Sequence, residues 1–139
     1  MNEIKEKIDD KLKDISYINL AIGGTSCYYW KKYIPQINIK YSPIIIFLNL
    51  GFNDIHGGTF GTNLRNRYRD VINKLKAKFP ESHIICFTIC HSPNYPLARD
   101  YEDEFNYYLL NFGNEFGVKV IDLSLHTKMK NMEKQLIKG

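Results

Sequence analysis

Between Pro43 and Asp54 the chain reads Pro-Ile-Ile-Ile-Phe-Leu-Asn-Leu-Gly-Phe-Asn-Asp, and no other stretch restricts the fold as much. The run Ile44 to Leu48 is β-branched and aromatic. It is too short to span a membrane and lacks the alternation of a half-exposed strand. The pattern predicts a parallel strand covered on both faces. The run breaks at Gly51, and Asn53 and Asp54 follow at once. Ligands of open α/β sheets bind just past the carboxyl ends of the strands. The Gly-x-Asn-Asp turn therefore puts an amide and a carboxylate where chemistry would be done.

The remaining segments alternate between helical and strand patterns. Ile4, Ile8, Leu12 and Ile15 form a helical stripe over Asn2 to Ile15. Tyr17 to Ile22 reads as a short strand, and Gly23-Gly24-Thr25-Ser26 as a tight turn ending in two good helix N-caps. Cys27 to Tyr33 reads as a short helix stopped near Pro35. A strand over Ile44 to Leu50 is followed by a Gly-rich loop, Ile55 to Thr62. Leu64, Tyr68, Val71, Ile72, Leu75 and Phe79 repeat near 3.6 residues and predict a helix over Asn63 to Phe79, ended by Pro80. His83 to Cys90 reads as a strand, and His91 to Leu97, with Pro93 and Pro96, as a loop. Arg99 to Phe116 repeats the helical stripe with Gly117 as its C-cap, and Val118 to Leu123 is a fourth strand. The tail from Ser124 reads as loop and then helix. Strands alternating with helices argue a parallel sheet in a single domain over residues 1–139.

With 139 residues the chain is long enough to bury a core. The formal net charge of +4 is spread, without a Lys/Arg block or a nucleic-acid motif. It therefore reads as solubility, with no nucleic acid among the expected partners. The charged start Met-Asn-Glu-Ile-Lys has no apolar core of a signal peptide, and no segment reaches membrane-spanning length. Cys86 and Cys90, placed in one strand, lie on one face about 13 Å apart, too far for a disulfide. Three buried thiols in a reducing, cytoplasmic setting are the expectation. No Cys or His pair has zinc-ligand spacing, and no metal or other cofactor is implied.

Two stretches carry a family resemblance. Tyr17-Ile18-Asn19-Leu20-Ala21-Ile22-Gly23-Gly24-Thr25-Ser26 resembles the second block of the SGNH (GDSL-like) hydrolases. Leu50-Gly51-Phe52-Asn53-Asp54 resembles their third, the Gly-x-Asn-Asp signature. The segment Gly117 to Leu123 looks like the family's last core strand. The resemblance covers nearly the whole chain. It implies a three-layer α/β/α sandwich, flavodoxin-like with strand order 2-1-3-4-5, here reduced to about four parallel strands. It also implies acyl-ester hydrolysis by a serine nucleophile, with acetyl or other short acyl groups as substrates, some on carbohydrate. By position, Gly24 and Asn53 match the family's oxyanion-hole donors. The family's Gly-Asp-Ser block and its Asp-x-x-His block are not found in the sequence; Asp122 to His126 is one residue too long. The expectation is thus a partial or catalytically degenerate esterase-type domain. Its alternative is a small-ligand-binding or self-associating α/β module, possible partners being an acyl ester, a carbohydrate or a second copy of the chain.

Other residues are weaker candidates for substitute chemistry. His56 and His91 lie just past strands at the carboxyl edge, and Ser26 and Cys27 follow the glycine turn on the same edge. Ser26 with His91, or Cys27 with His56, would make a nucleophile and base. The blander reading is an N-cap for Ser26, packing for Cys27, and locally bonded loop histidines, with His126 equally plain. Tyr28-Tyr29-Trp30 either packs against the sheet or floors a pocket for sugar or acyl groups.

Overall fold

In the computed structural model, residues 16–124 are described. The helix expected over Asn2 to Ile15, the tail helix and His126 lie outside them. The elements are α1 (Cys27–Tyr33), β1 (Ile45–Leu48), α2 (Phe52–His56), α3 (Gly61–Lys78), β2 (His83–Phe87), α4 (Arg99–Phe112) and β3 (Lys119–Ile121). Short 3-10 turns follow α1 at Ile34–Gln36, precede α4 at Pro96–Ala98 and follow it at Gly113–Phe116.

All three strands are parallel, in the order β1-β2-β3. The register pairs Ile46 with Ile84, Leu48 with Cys86, and Cys86 with Val120. These residues form one face, against which the helices pack. Leu64, Tyr68, Val71, Ile72 and Leu75 bury the stripe of α3; Phe105 and Leu109 bury that of α4; Cys27 and Ile34 come from α1 and its following turn. The stripes are helical because only a 3.6-residue repeat keeps these side chains on the sheet side. Lys76 Nζ donates to the Phe116 carbonyl and ties the end of α3 to the turn after α4. That turn sits so close to β3 that a Cβ on Gly113 would lie 2.6 Å from Val120 Cγ2. The architecture is a small α/β fold of the flavodoxin-like type.

Several expectations need correction. Tyr17 to Ile22 is irregular and exposed, leaving three strands among the described residues. A strand exists only by pairing, and among the described residues β1 bonds only to β2, so the sheet gains no fourth strand from this segment. Nor is β1 covered on both faces: Ile45 and Phe47 are 46% and 64% exposed. Their face continues through the stacked pair Phe47–Phe87 and Ile121, and none of it joins the core formed by the described residues. The Gly-rich loop begins with a helical turn, α2. The strand expected over His83 to Cys90 ends at Phe87, so Cys86 is buried and Cys90, beyond it, is exposed. The helix over Arg99 to Phe116 tightens to 3-10 geometry after Phe112 and stops at Gly117, whose φ of 69° is left-handed. Among the described residues no helix is long and apolar enough to cross a membrane.

Candidate functional site

The carboxyl end of β1 delivers the chain into Gly51, whose φ of 117° turns it sharply into α2. A side chain is excluded there, because a Cβ would meet Phe105 Cε1 at 2.8 Å and Ile89 Cδ1 at 2.9 Å. The turn sets Asn53 and Asp54 against the glycine turn that precedes α1. Asn53 Nδ2 donates to the Thr25 carbonyl at 3.0 Å. Both carboxylate oxygens of buried Asp54 accept the Cys27 backbone N–H, at 3.1 and 3.2 Å. Two adjacent side chains therefore clasp the turn from opposite ends.

The turn has its own supports. Thr25 Oγ1 donates to the Ile22 carbonyl at 2.7 Å and accepts Trp30 Nε1–H at 2.8 Å. Trp30, one of the three consecutive aromatics, anchors this turn. Gly24 holds a φ of 77° with open space around it. The Asn53 amide carries two N–H donors and spends one on the Thr25 carbonyl, leaving the other without an acceptor among the described residues.

Ser26 occupies the N-cap position of α1, yet its hydroxyl makes no capping bond. The Asp54 carboxylate takes that role at the first N–H of the helix, that of Cys27, 27 residues before it. Cys27 is fully buried, and burial, followed by the adjacent Asp54 carboxylate, pushes its thiol far above the ordinary range. A thiol so held is no nucleophile near neutral pH. His56 lies between the rings of Phe52, at 4.1 Å, and Tyr95, at 4.7 Å. Its Nε2 is buried with no hydrogen-bond partner among the described residues. His91 Nε2 sits 2.7 Å from Asp103 Oδ1 on α4. No hydrogen bond joins Ser26 to His91 or Cys27 to His56, so neither substitute pair is assembled.

Three features escaped the sequence reading. Asp103 as the partner of His91 depends on α4 passing over the end of β2. Glu102, beside it, is wholly buried with both carboxylate oxygens unpartnered among the described residues. A charged residue at an apolar-stripe position was the one signal for it. The third is a cavity of about 680 Å³ between α1 and α3, lined by Tyr28, Lys31, Lys32, Gln36, Arg67 and Lys74 among others. Lysines and arginines from separate helices give no local signature in sequence.

The arrangement is the carboxyl edge of a parallel α/β sheet, with an Asn-Asp turn after one strand gripping a glycine turn. The sequence matches the GDSL-like Lipase/Acylhydrolase family over residues 3–138, and the chain belongs to that family. Among solved structures, the chain is similar to the OSK domain of Drosophila Oskar, with a TM-score of 0.60 and 19% sequence identity. That likeness covers 71% of this chain and 47% of that one, and at such identity it concerns the fold alone. No curated protein sequence matches the chain.

Proposed function

We propose that this chain is an esterase-type domain for acetyl or other short acyl esters, carbohydrate esters among them. Gly24 and Asn53 serve as its oxyanion-hole donors, and turnover is far below that of a complete serine site. The observation that supports this reading is the bond from Asn53 Nδ2 to the Thr25 carbonyl, which ties the amide to the glycine turn. A carbonyl attacked by a nucleophile places negative charge on its oxygen. A fixed amide N–H and a backbone N–H stabilise that charge without reorganising. Low turnover follows from the other half of the chemistry, because no Ser, Thr or Cys side chain is hydrogen-bonded to a histidine among the described residues. A reducing, cytoplasmic setting fits the free thiols Cys27, Cys86 and Cys90.

Hydrolysis of p-nitrophenyl acetate tests the proposal. The expected result is slow turnover that Asn53→Ala lowers by ~10²-fold or to the buffer rate. Turnover indifferent to that substitution would remove Gly24 and Asn53 from the chemistry. A kcat above roughly 1 s⁻¹, ordinary for an enzyme, would show that a complete site exists.

One observation favours a second reading, self-association. The sheet face of Ile45, Phe47 and Ile121 is apolar and exposed.

A further inference from the structure

The basic cavity between α1 and α3 begins at the turn that Asn53 and Asp54 clasp. Cys27, whose backbone N–H donates to the Asp54 carboxylate, lies in its floor. Arg67 on its wall donates to Thr59 Oγ1, in the loop that follows α2. From there the groove runs along both helices to Gln36 and Lys74. Arg67 and Lys74, seven residues apart on α3, are about 10 Å apart along the helix axis. Lys31 and Lys32 face them from α1. Asp70 offsets one of these charges through its ion pair with Lys31, at 3.0 Å. Lys32, Arg67 and Lys74 form no ion pair among the described residues, and the positive potential registers on Tyr28. Its hydroxyl pKa is drawn down by the hydrogen bond from Lys32 and then by the charges of Lys32, Arg67 and Lys31.

A row of cations this long exceeds what one small anion needs and suits a polymer with repeated negative charges. The aromatic groups say which kind. Single-stranded nucleic acid uses open ring faces for base stacking. Here Lys32 lies over the Tyr28 ring at 4.2 Å, with Arg67 at 5.8 Å. Tyr29 and Tyr33, which line an adjoining cavity, are stacked on each other at 5.7 Å. What the groove offers is ammonium and guanidinium groups, phenol hydroxyls and the Gln36 amide. These donors match carboxylate or sulfate groups set among sugar hydroxyls. We propose that the groove binds an anionic glycan and presents its acyl ester to the Gly24–Asn53 turn. The substrate half of this statement rests on the esterase reading above; the binding half does not.

The test is titration of the full chain with hyaluronan oligosaccharides (carboxylate) and heparin oligosaccharides (sulfate). Neutral dextran and a single-stranded oligonucleotide of matched length serve as comparisons. At least one anionic glycan should bind at low salt and weaken steeply as ionic strength rises. Arg67→Glu and Lys74→Glu should each weaken it about tenfold, while Lys119→Glu, on exposed β3, leaves it unchanged. Circular dichroism checks that each variant is folded. Absence of glycan binding at low salt, binding unaffected in the Arg67→Glu/Lys74→Glu variant, or tighter binding of the oligonucleotide would each overturn the proposal. The arms separate the two readings. Glycan binding without any ester turnover leaves the groove standing and sinks the esterase. Turnover of p-nitrophenyl acetate without glycan binding does the reverse.

Discussion

Asp54 caps a helix that begins 27 residues before it, placing both carboxylate oxygens on the backbone N–H of Cys27. The first N–H groups of a helix have no partner within it, and a carboxylate there is favoured by the helix dipole as well. Because the contact joins the end of β1 to the start of α1, it fixes the glycine turn relative to the sheet. Asp54 is therefore a scaffold residue, and Asn53 beside it holds the same turn through the Thr25 carbonyl.

Replacing Asp54 by Ala should lower stability by about 2–3 kcal/mol, the scale of a buried hydrogen bond to a charged group. Urea unfolding measures it. Asp54→Asn keeps an acceptor oxygen and should recover part of the loss. Equal stability of all three proteins would show that the clasp contributes nothing.

The two glycine turns respond differently to a methyl group. Gly51→Ala meets both a left-handed φ and the side chains of Phe105 and Ile89 inside 3 Å, and should cost upward of ~2 kcal/mol. Gly23→Ala meets nothing within 4 Å and has no such φ, so its change should stay within about 0.5 kcal/mol. Thermal unfolding of the pair checks the contrast, and similar melting temperatures would contradict the packing described at Gly51.

Burial raises the thiol of Cys86 as it does that of Cys27, and the Tyr68 hydroxyl likewise. In the unfolded chain the thiols release their protons above their ordinary value of 9.0, while the folded chain retains them. The unfolded state then binds fewer protons, so stability is full below pH 9 and falls as pH rises beyond it. Each ionising thiol contributes a slope approaching ~1.4 kcal/mol per pH unit. Tyr68 adds to the slope above its own ordinary value of 10.0. Cys27→Ala should flatten the fall between pH 9 and pH 10 even though it lowers stability at neutral pH. A thiol reagent at pH 8 should label exposed Cys90 rapidly, and Cys27 and Cys86 only on unfolding.

What the sequence disclosed divides along physical lines. The stripes of α3 and α4 were legible because burial against one sheet face imposes a helical period on the side chains themselves. The start of α1 at Cys27 was legible from the glycines before it. The identity of its cap was not: Ser26 has the right chemistry next door, yet Asp54 wins through a tertiary contact. The coverage of β1 was misread because Ile45 and Phe47 are as apolar as Ile46 and Leu48, and hydropathy does not record which face a helix reaches. Of the site, the meeting of Asn53 with the turn at Thr25 agrees with the motif order, whereas the pairing of His91 with Asp103 needed the path of α4.

That misread face leads to the last prediction. Phe47 stacks on Phe87 across the open side of the sheet, with Ile45 and Ile121 flanking, and all belong to strands whose other face is the core. Exposed apolar surface of this kind favours contact with another apolar surface, by roughly 25 cal/mol for each Å² removed from water. A second copy offers the same face, and a two-fold axis would bring Phe47 against its counterpart. Sedimentation velocity should therefore show a concentration-dependent mass. Phe47→Lys should abolish it while shifting monomer stability by less than about 1 kcal/mol, because that ring is largely exposed already. A single monomeric species at every concentration for the unsubstituted protein would rule this association out. A Phe47→Lys protein that still dimerises would move the contact to another surface.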